Sequence, residues 1–417
     1  MAAYTTDMLK PRYHSAIVDW QKKNFPELEL LEKNWSTYFG GQANFALMAK
    51  VGKIKSELIE YGKFAGQPKF ELAGKMSGNM FFSARDIIKA QCSTEFGSVQ
   101  QHRISLEAAT GDEAKYCVLR IMAEELRHAY QMFWVLDHDA TWRKLGMGDV
   151  AAETMDELLA MKTGEHVLDA FNIEFTEFLD NIVFGALIDL VGKYQLDMQK
   201  VFAYAPMARS MAPMFSEEGF HLGTGKRFLR EYSVESANGK GKWSFPEIQR
   251  CINQWYPRGL EMFGNEHGGT TTVEFGFKDK TNGQAQGEYI EEVRQIIEHV
   301  NIGIVCARNP KHSPQDARRV VNEILQTGNK VDSVGADEIV YLPSNKFFRR
   351  RGLPEYALQP FNLRGELITD GGKPVAEDAY FKYLETQLPT TYLKCPDYAK
   401  FQGMYKKAHE NGNGHSW

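Results

Sequence analysis

The feature of this sequence that most constrains its fold is a repeated spacing of carboxylates and histidines. Glu125 and His128 form an E-x-x-H pair, and Glu218 and His221 form a second one. This spacing places both side chains of a pair on one face of a helix, where they can share a metal ion. A single pair is more often part of a solvated, salt-bridging face, so the repetition is what indicates a metal site.

Each pair is preceded by another acid at nearly the same distance. Glu95 lies 30 residues before Glu125. Residues 82–108 and 113–138 have helical patterns, and the break between them at Thr110-Gly111 falls midway between the two acids. If two straight helices fold back at this turn, both carboxylates lie at the same height along a helical bundle.

The second half of the pattern is less regular. Asp189 lies 29 residues before Glu218, within helical patterns at 171–191 and 207–232. Pro206 favours a helix start, whereas Gly192 favours an early end of the preceding helix and therefore a longer connection. Asp189 is surrounded by apolar residues, so its carboxylate is expected to be neutral, paired or metal-bound; an acid at a helix end is the alternative.

Together these positions predict a dinuclear metal site with four carboxylates and two imidazoles. Four anions balance the charge of two Fe(II) ions, and manganese fits the same donors. Glu124 and Glu217 point away from the helix face that carries the ligands, so we expect them beside the ligands or in solvent. Gln91, one turn before Glu95, is a candidate to hydrogen-bond a ligand or a group bound to the metals. The predicted ligands are Glu95, Glu125, His128, Asp189, Glu218 and His221.

Composition excludes several classes of function. The net charge of −5 and the pI near 6.2 argue against a nucleic-acid-binding protein. Five scattered cysteines without a C-x-x-C motif exclude most zinc and iron–sulfur arrangements and indicate a reducing compartment. No signal-like segment and no apolar run of about 18 residues occur, so we expect a cytoplasmic, unanchored protein.

One cluster of basic residues lies in the C-terminal part of this negatively charged chain. Residues 346–351 read KFFRRR. Arg349, Arg350 and Arg351 are candidates to bind the phosphates of a large anionic ligand, although a solvated strand or loop edge is the commoner origin of such a run.

The overall pattern predicts an all-α protein, a ferritin-like four-helix bundle with extra N-terminal helices and an irregular C-terminal extension. Helical patches at 15–24 and 44–61 belong to a lead-in over residues 1–75, which packs on the bundle of residues 76–310. Residues 311–417 have many glycines and prolines and a possible strand at 338–342, which indicates a cover of loops and short strands with a disordered tail.

The motifs resemble the oxygenase components of the phenylacetyl-CoA and benzoyl-CoA epoxidase family, particularly those that act on benzoyl-CoA. The resemblance rests on QCSTE from residue 91, EELRH from 124, EEGFH from 217, MFGNE from 262 and LPSNKF from 342. It extends from about residue 70 to 395, with little match over 139–169. It implies that the six predicted ligands bind iron and that Gln91 lies beside the metals. Asp189 supports this branch, because ferritin-like relatives more often have Glu there.

The resemblance also implies a function. A di-iron centre would use O2 to epoxidise the ring of an aromatic acyl-CoA such as benzoyl-CoA. The chain has no G-x-G-x-x-G after a strand, no P-loop and no cysteine cluster, so electrons are expected from a separate reductase carrying flavin or iron–sulfur centres. Two alternatives stay open. One is a di-metal protein that oxidises a different substrate, with or without CoA, or that stores or senses oxygen or iron; the other is a non-catalytic scaffold subunit. The oligomeric state, monomer or homodimer, is also left open.

Overall fold

The computed structural model describes residues 5–146, 148–162, 164–353 and 358–410. Thirteen α-helices dominate this described part, so the predicted all-α class is confirmed, and the helical content agrees with a ferritin-like bundle. None of its helices has the length and apolar character needed to cross a membrane. The helices are α1 (Pro11–Asn24), α2 (Leu28–Phe39), α3 (Gly78–Ile104), α4 (Asp112–Asp137), α5 (Val150–Ala160), α6 (Phe178–Gln199), α7 (Ala205–Ala237), α8 (Phe245–Met262), α9 (Thr270–Glu274), α10 (Asn282–Arg308), α11 (Pro314–Thr327), α12 (Glu377–Gln387) and α13 (Pro396–Glu410).

Short strands form two antiparallel pairs near the ends of the described chain. β1 (Thr5–Asp7) pairs with β2 (Ala49–Val51), and β3 (Thr369–Asp370) pairs with β4 (Lys373–Pro374). The predicted helix at 44–61 is therefore wrong, because part of this segment is β2 and the rest is irregular. The strand expected at 338–342 is also wrong, since no residue of this segment pairs in a sheet.

The first helical hairpin matches the sequence pattern closely. α3 and α4 pack along their lengths, and the connection at residues 105–111 contains the predicted turn. Asp112 and Glu113 lie in the first turn of α4, where carboxylates interact favourably with the positive end of the helix dipole. α4 is buried over most of its length, which places its polar residues inside the protein rather than in solvent.

The helices α6 and α7 differ from the sequence prediction in one respect. α6 continues through Gly192 to Gln199, so the predicted early helix end and the long connection are wrong. The carbonyl oxygens that follow α6 are satisfied by a buried lysine, since Lys69 Nζ donates to Val201 O at 2.6 Å. A Cβ at Gly192 would lie 3.6 Å from Glu218 Oε1, an ordinary van der Waals distance, so packing does not require glycine at this position. Glycine is tolerated inside this helix because tertiary packing outweighs its weak helix propensity.

The chain divides into two compact units. The first comprises Met1–Phe178, Gly192–His221 and Gly268–Thr281; the second comprises Leu179–Val191, Leu222–His267 and Asn282–Trp417. The three segments expected from the sequence, 1–75, 76–310 and 311–417, stay a prediction. The described residues of the last segment contain three α-helices and the β3–β4 pair among irregular stretches. The tail predicted to be disordered lies, from residue 411 on, outside the described residues.

Two helices of the second unit begin with reciprocal capping. Ser313 Oγ accepts from the backbone of Asp316 at 3.2 Å, while the Asp316 carboxylate accepts from Ser313 N at 3.1 Å at the start of α11. Ser244 and Glu247 have the same arrangement at the start of α8. Such caps satisfy backbone groups that have no partner within the helix, and they fix where α8 and α11 begin.

Candidate metal centre

Five of the six predicted ligands come together in the first unit. α3 supplies Glu95, α4 supplies Glu125 and His128, and α7 supplies Glu218 and His221. All five are buried, and both histidines have no exposed surface. We call these five residues the inner cluster. A metal ion needs several ligand atoms close to one another. One ligand atom from each of Glu95, Glu125 and His128 lies within 4.8 Å of the other two.

The Nδ1 atom of His128 faces carboxylates from three helices. It lies 3.7 Å from Glu95 Oε2, 3.9 Å from Glu125 Oε2 and 3.6 Å from Glu218 Oε1. These separations are too long for hydrogen bonds but suit atoms that converge on a common cation.

The Nδ1 atom of His221 has similar surroundings. It lies 3.3 Å from Glu125 Oε1 and 3.4 Å from Glu218 Oε2, and the centroids of the two imidazole rings are 5.8 Å apart. Within the described residues, neither Nδ1 atom makes a well-formed hydrogen bond, and neither does the buried Glu218 Oε2. Buried polar atoms are rarely left unpaired, so these atoms point to a missing ligand.

The electrostatic environment of the inner cluster favours bound positive charge. Burial, reinforced by the neighbouring Glu125, raises the pKa of Glu95 well above its usual value. Burial alone would lower the pKa of His221, but the charge of Glu218 and the neighbouring carboxylates outweigh it and raise this pKa well above normal. In the absence of metal, protons therefore supply the positive charge that the buried carboxylates need.

The outer nitrogens of the imidazoles are held by two further acids in a crossed arrangement. His128 Nε2 lies 2.9 Å from Glu217 Oε2, and His221 Nε2 lies 3.1 Å from Glu124 Oε2. Each acid directly precedes a glutamate of the inner cluster, but it binds the histidine of the opposite helix. A neutral imidazole that donates from Nε2 presents the lone pair of Nδ1 to the inner cluster, the orientation that a metal ligand needs.

Positive side chains neutralise both outer acids. Arg127 Nε donates to Glu217 Oε2 at 2.7 Å, and Lys50 Nζ lies 2.6 Å from Glu217 Oε1. Arg120 Nε donates to Glu124 Oε1 at 3.0 Å. Burial alone would raise the pKa of Glu217, but Arg127 and His128 hold it well below its usual value. The outer acids therefore have their counter-charges, whereas the inner carboxylates do not.

Sequence reasoning identified part of this outer arrangement. It expected Glu124 and Glu217 beside the ligands or in solvent, and the structure gives each a histidine partner. Arg120 was missed although it lies four residues before Glu124, a spacing that predicts a helical ion pair. Lys50 was missed because it reaches Glu217 from a distant strand, and no local pattern indicates this contact.

The two other predicted residues of the metal centre are Gln91 and Asp189. Gln91 lies on α3 one turn before Glu95, and its Oε1 atom is buried without a hydrogen-bond partner in the described chain. Asp189 is buried on the part of α6 that belongs to the second unit. Its place among the metal ligands and the role of Gln91 stay predictions.

The three predicted phosphate-binding arginines lie in the second unit. Arg350 is fully buried, and its Nη1 donates to Asp397 Oδ1 at 2.9 Å. Arg349 is also buried, with Nη1 3.2 Å from Asn345 O, and Arg351 is half-buried. The structure thus gives Arg350 a protein partner, and a role for these arginines in binding CoA phosphates stays a prediction.

Comparison with known proteins agrees with the resemblance seen in the motifs. Residues 138–316, less than half of the chain, match the family described as phenylacetic acid catabolic protein. This range includes residues 139–169, where the motifs indicated little match, and it includes Glu218 and His221 but not Glu95 or His128.

A curated relative extends the comparison. The chain is 25% identical over 227 residues to the benzoyl-CoA oxygenase component B of Aromatoleum evansii, a match that covers 50% of this chain and 46% of the relative. The chain therefore spans less than half the length of this relative. The predicted resemblance to the phenylacetyl-CoA and benzoyl-CoA oxygenase proteins is thereby confirmed.

Proposed function

We propose that this chain is the oxygenase component of a multicomponent di-iron monooxygenase that epoxidises the ring of an aromatic acyl-CoA. The observation that carries the proposal is the inner cluster, where two fully buried imidazoles direct unpaired Nδ1 atoms toward buried carboxylates. The similarity to a protein named benzoyl-CoA oxygenase component B supports this class of reaction and of substrate.

The donor set fits two iron ions. Carboxylate oxygens and imidazole nitrogens suit Fe(II) and also manganese, and the described cluster has no thiolate that would favour softer metals. The residues that would hold the metals are the inner cluster together with Asp189, whose predicted carboxylate completes a charge of −4 against two divalent ions. Iron is the metal we expect from the resemblance.

When bound, a pair of irons supplies the electrons and the open coordination positions that activation of O2 requires. The protein's own residues orient and insulate such a centre. Glu124 and Glu217 fix the tautomer and the ring orientation of the two histidines. Gln91 Oε1, which is buried without a partner among the described residues, would accept a hydrogen bond from a protonated group at the site. Met122 and Phe133, both fully buried on α4, keep water away from this part of the helix.

The remaining components of the reaction come from outside the chain. A separate reductase with flavin or iron–sulfur centres supplies electrons, since the sequence contains no motif for either group. The name of the relative, a component of an oxygenase, supports such a multicomponent system. Within this proposal, the half-exposed Arg351 is a better contact for CoA phosphates than the buried Arg350.

The proposal is tested by turnover of iron-loaded protein. The full chain is loaded anaerobically with Fe(II), then mixed with benzoyl-CoA or phenylacetyl-CoA, O2 and a chemical or enzymatic reducing system. Mass spectrometry should detect a product heavier by one oxygen atom, which carries the label when 18O2 is used. A variant with Glu125→Gln serves as the control, because it keeps the side-chain volume but removes one inner carboxylate.

Other outcomes distinguish the alternatives. Iron binding without an oxygenated acyl-CoA would contradict the substrate and favour a di-iron oxygenase that acts on another compound. Absence of bound metal after loading would contradict the di-iron proposal and favour a non-catalytic scaffold subunit. The complete inner cluster speaks against a scaffold, because such a subunit has no need for buried, unpaired metal donors.

A further inference from the structure

The second unit contains a cleft of about 1180 Å³ that has no part in the metal centre. Its walls come from α8, α10 and α11, from the end of α12, and from the segments 336–346 and 363–364. Sites for small molecules usually have volumes of roughly 300–1,000 Å³. The cleft therefore has room for a ligand much larger than a simple inorganic anion.

The charge of this cleft is opposite to that of the whole chain. The protein has 54 acidic and 49 basic residues, yet the cleft is lined by four cations and one carboxylate. Such a local excess of positive charge on concave walls attracts anionic ligands. The cations are Arg250, Arg294, Lys346 and Arg364, and the carboxylate is Asp337.

Two of the cations lie on adjoining segments and have no acidic partner in the described part of the chain. Ser344 N donates to Leu363 O at 2.8 Å, so the segments that carry Lys346 and Arg364 adjoin. Gly365 allows this approach, since a Cβ there would lie 2.2 Å from Ser344 Oγ. Lys346 and Arg364 are both exposed in the structure. Both cations therefore line the cleft on backbone segments that a hydrogen bond holds together.

Another wall of the cleft offers an aromatic surface. Gln249 fixes the backbone of Tyr341, because its Nε2 donates to Tyr341 O at 2.9 Å and its Oε1 accepts from Tyr341 N at 2.8 Å. The Tyr341 side chain remains partly exposed at the cleft. Arg250 Nε lies 3.3 Å from Thr386 O, which holds a third cation at the same wall. An aromatic ring beside cations can stack on a base while the cations bind phosphates.

We propose that this cleft binds the diphosphate and base of an adenine nucleotide. Arginine and lysine bind phosphate oxygens through charge-assisted hydrogen bonds, and Lys346 and Arg364 line the same cleft from adjoining segments. The nucleotide is either free or part of a larger molecule such as a CoA thioester. For a CoA ligand the inference rests on the proposed function, whereas binding of free ADP does not.

The experiment measures binding to the full chain as isolated, without metal loading. Titration calorimetry with ADP, free CoA, adenosine and inorganic pyrophosphate is carried out at one fixed salt concentration. We expect ADP and CoA to bind saturably, and adenosine and pyrophosphate to bind much more weakly. Lys346→Ala and Arg364→Ala should each weaken ADP binding about tenfold, the effect of one lost charge-assisted hydrogen bond, and the double variant about a hundredfold.

Lys406→Ala is the matched control, because it removes an exposed lysine of α13 that does not line the cleft. Circular dichroism checks that each variant is folded. The inference is overturned if neither ADP nor CoA binds, if the two cleft variants bind like the wild type, or if Lys406→Ala weakens binding as much as they do. Tighter binding of an acidic oligoglutamate peptide than of ADP would also overturn it and would identify a protein-docking surface. Because no metal is needed, failure here is separate from failure of the di-iron proposal.

Discussion

This protein has two buried clusters of charged residues, one that we assign to function and one that we assign to stability. They differ in whether their own charges balance. The inner cluster of the first unit contains three carboxylates and two imidazoles whose facing nitrogens are unpaired. The second unit contains another buried cluster, in which two guanidinium groups lie beside two carboxylates. Arg350 pairs with Asp397, and Arg258 lies 3.1 Å from Glu261. With neutral imidazoles the inner cluster has an excess of negative charge, whereas the formal charges of the second cluster cancel.

The environment of Asp397 shows how the second cluster is stabilised. Burial alone would raise the pKa of this carboxyl, but the guanidinium of Arg350 outweighs burial and holds the pKa below its usual value. Tyr392 adds a hydrogen bond from its hydroxyl to Asp397 Oδ2 at 2.7 Å. These contacts connect the start of α13 to the segment that contains Arg350. Buried charges that complete each other in this way indicate a structural role.

The largest effect should follow from removing an inner imidazole. His128→Ala or His221→Ala deletes one nitrogen donor, so iron content should fall from about two per chain to about one or less, and oxygenase turnover should be lost. Elemental analysis of the iron-loaded variants measures this change. His138→Ala is the control, since this exposed histidine follows α4 but lies outside the inner cluster. Full iron content in either inner variant would contradict the distinction between the clusters.

The balanced cluster should respond in the opposite way. Asp397→Asn leaves Arg350 buried without its counter-charge and should lower the free energy of unfolding by about 3–5 kcal/mol. Iron content per folded chain should stay unchanged. Urea unfolding followed by circular dichroism measures the stability, and the exposed Asp370→Asn is the control. A loss of iron with little loss of stability would reverse the roles assigned to the two clusters.

The pH dependence of this destabilisation has a definite sign. Because the pKa of Asp397 is lowered by folding, its ionised form contributes stability at pH values above its unfolded pKa of about 4. This contribution disappears as the pH falls through the lower pKa of the folded state. The difference in unfolding free energy between wild type and Asp397→Asn should therefore be constant from pH 6 to 7 and shrink below about pH 4. A difference that grows on acidification would contradict the ion pair.

Within the metal centre, the two outer acids should differ in degree. Glu217→Gln and Glu124→Gln should each weaken metal affinity by about 10–100-fold, because they loosen an imidazole ligand. The effect of Glu217→Gln should be larger, since Arg127 is almost completely buried and Lys50 also loses its partner. Competition with a metal chelator gives both affinities. Equal effects would show that the additional cations at Glu217 are unimportant.

The smallest effect is expected from Lys50→Ala. About a third of this side chain is exposed, and pairs of this kind contribute roughly 0–1 kcal/mol. Metal affinity should therefore change by about threefold or less, which the same chelator competition measures. A loss as large as that of Glu217→Gln would make Lys50, rather than Arg127, the main support of Glu217.

The sequence predicted those features that depend on helical spacing. The turn between α3 and α4 and the pairing of Glu125 with His128 on one face follow from local periodicity, and the structure contains both. The crossed contact between His128 and Glu217 could not be predicted, because these residues are 89 positions apart. For the same reason the basic run at 346–351 gave no sign that Arg350 pairs with Asp397.

Gly192 illustrates a different limit of sequence reasoning. Its weak helix propensity favoured a helix end, but α6 continues past it. The packing of α6 in the folded chain outweighs this weak local preference, and local propensity does not contain such packing.

The most direct test of the central claim is an anaerobic titration of the metal-free full chain with Fe(II), followed by calorimetry. We predict saturation at about two ions per chain in the wild type. In a variant that combines Glu125→Gln with Glu218→Gln, tight binding should be absent. Saturation below one ion in the wild type, or unchanged binding in the double variant, would contradict the assignment of the inner cluster as a dinuclear metal centre.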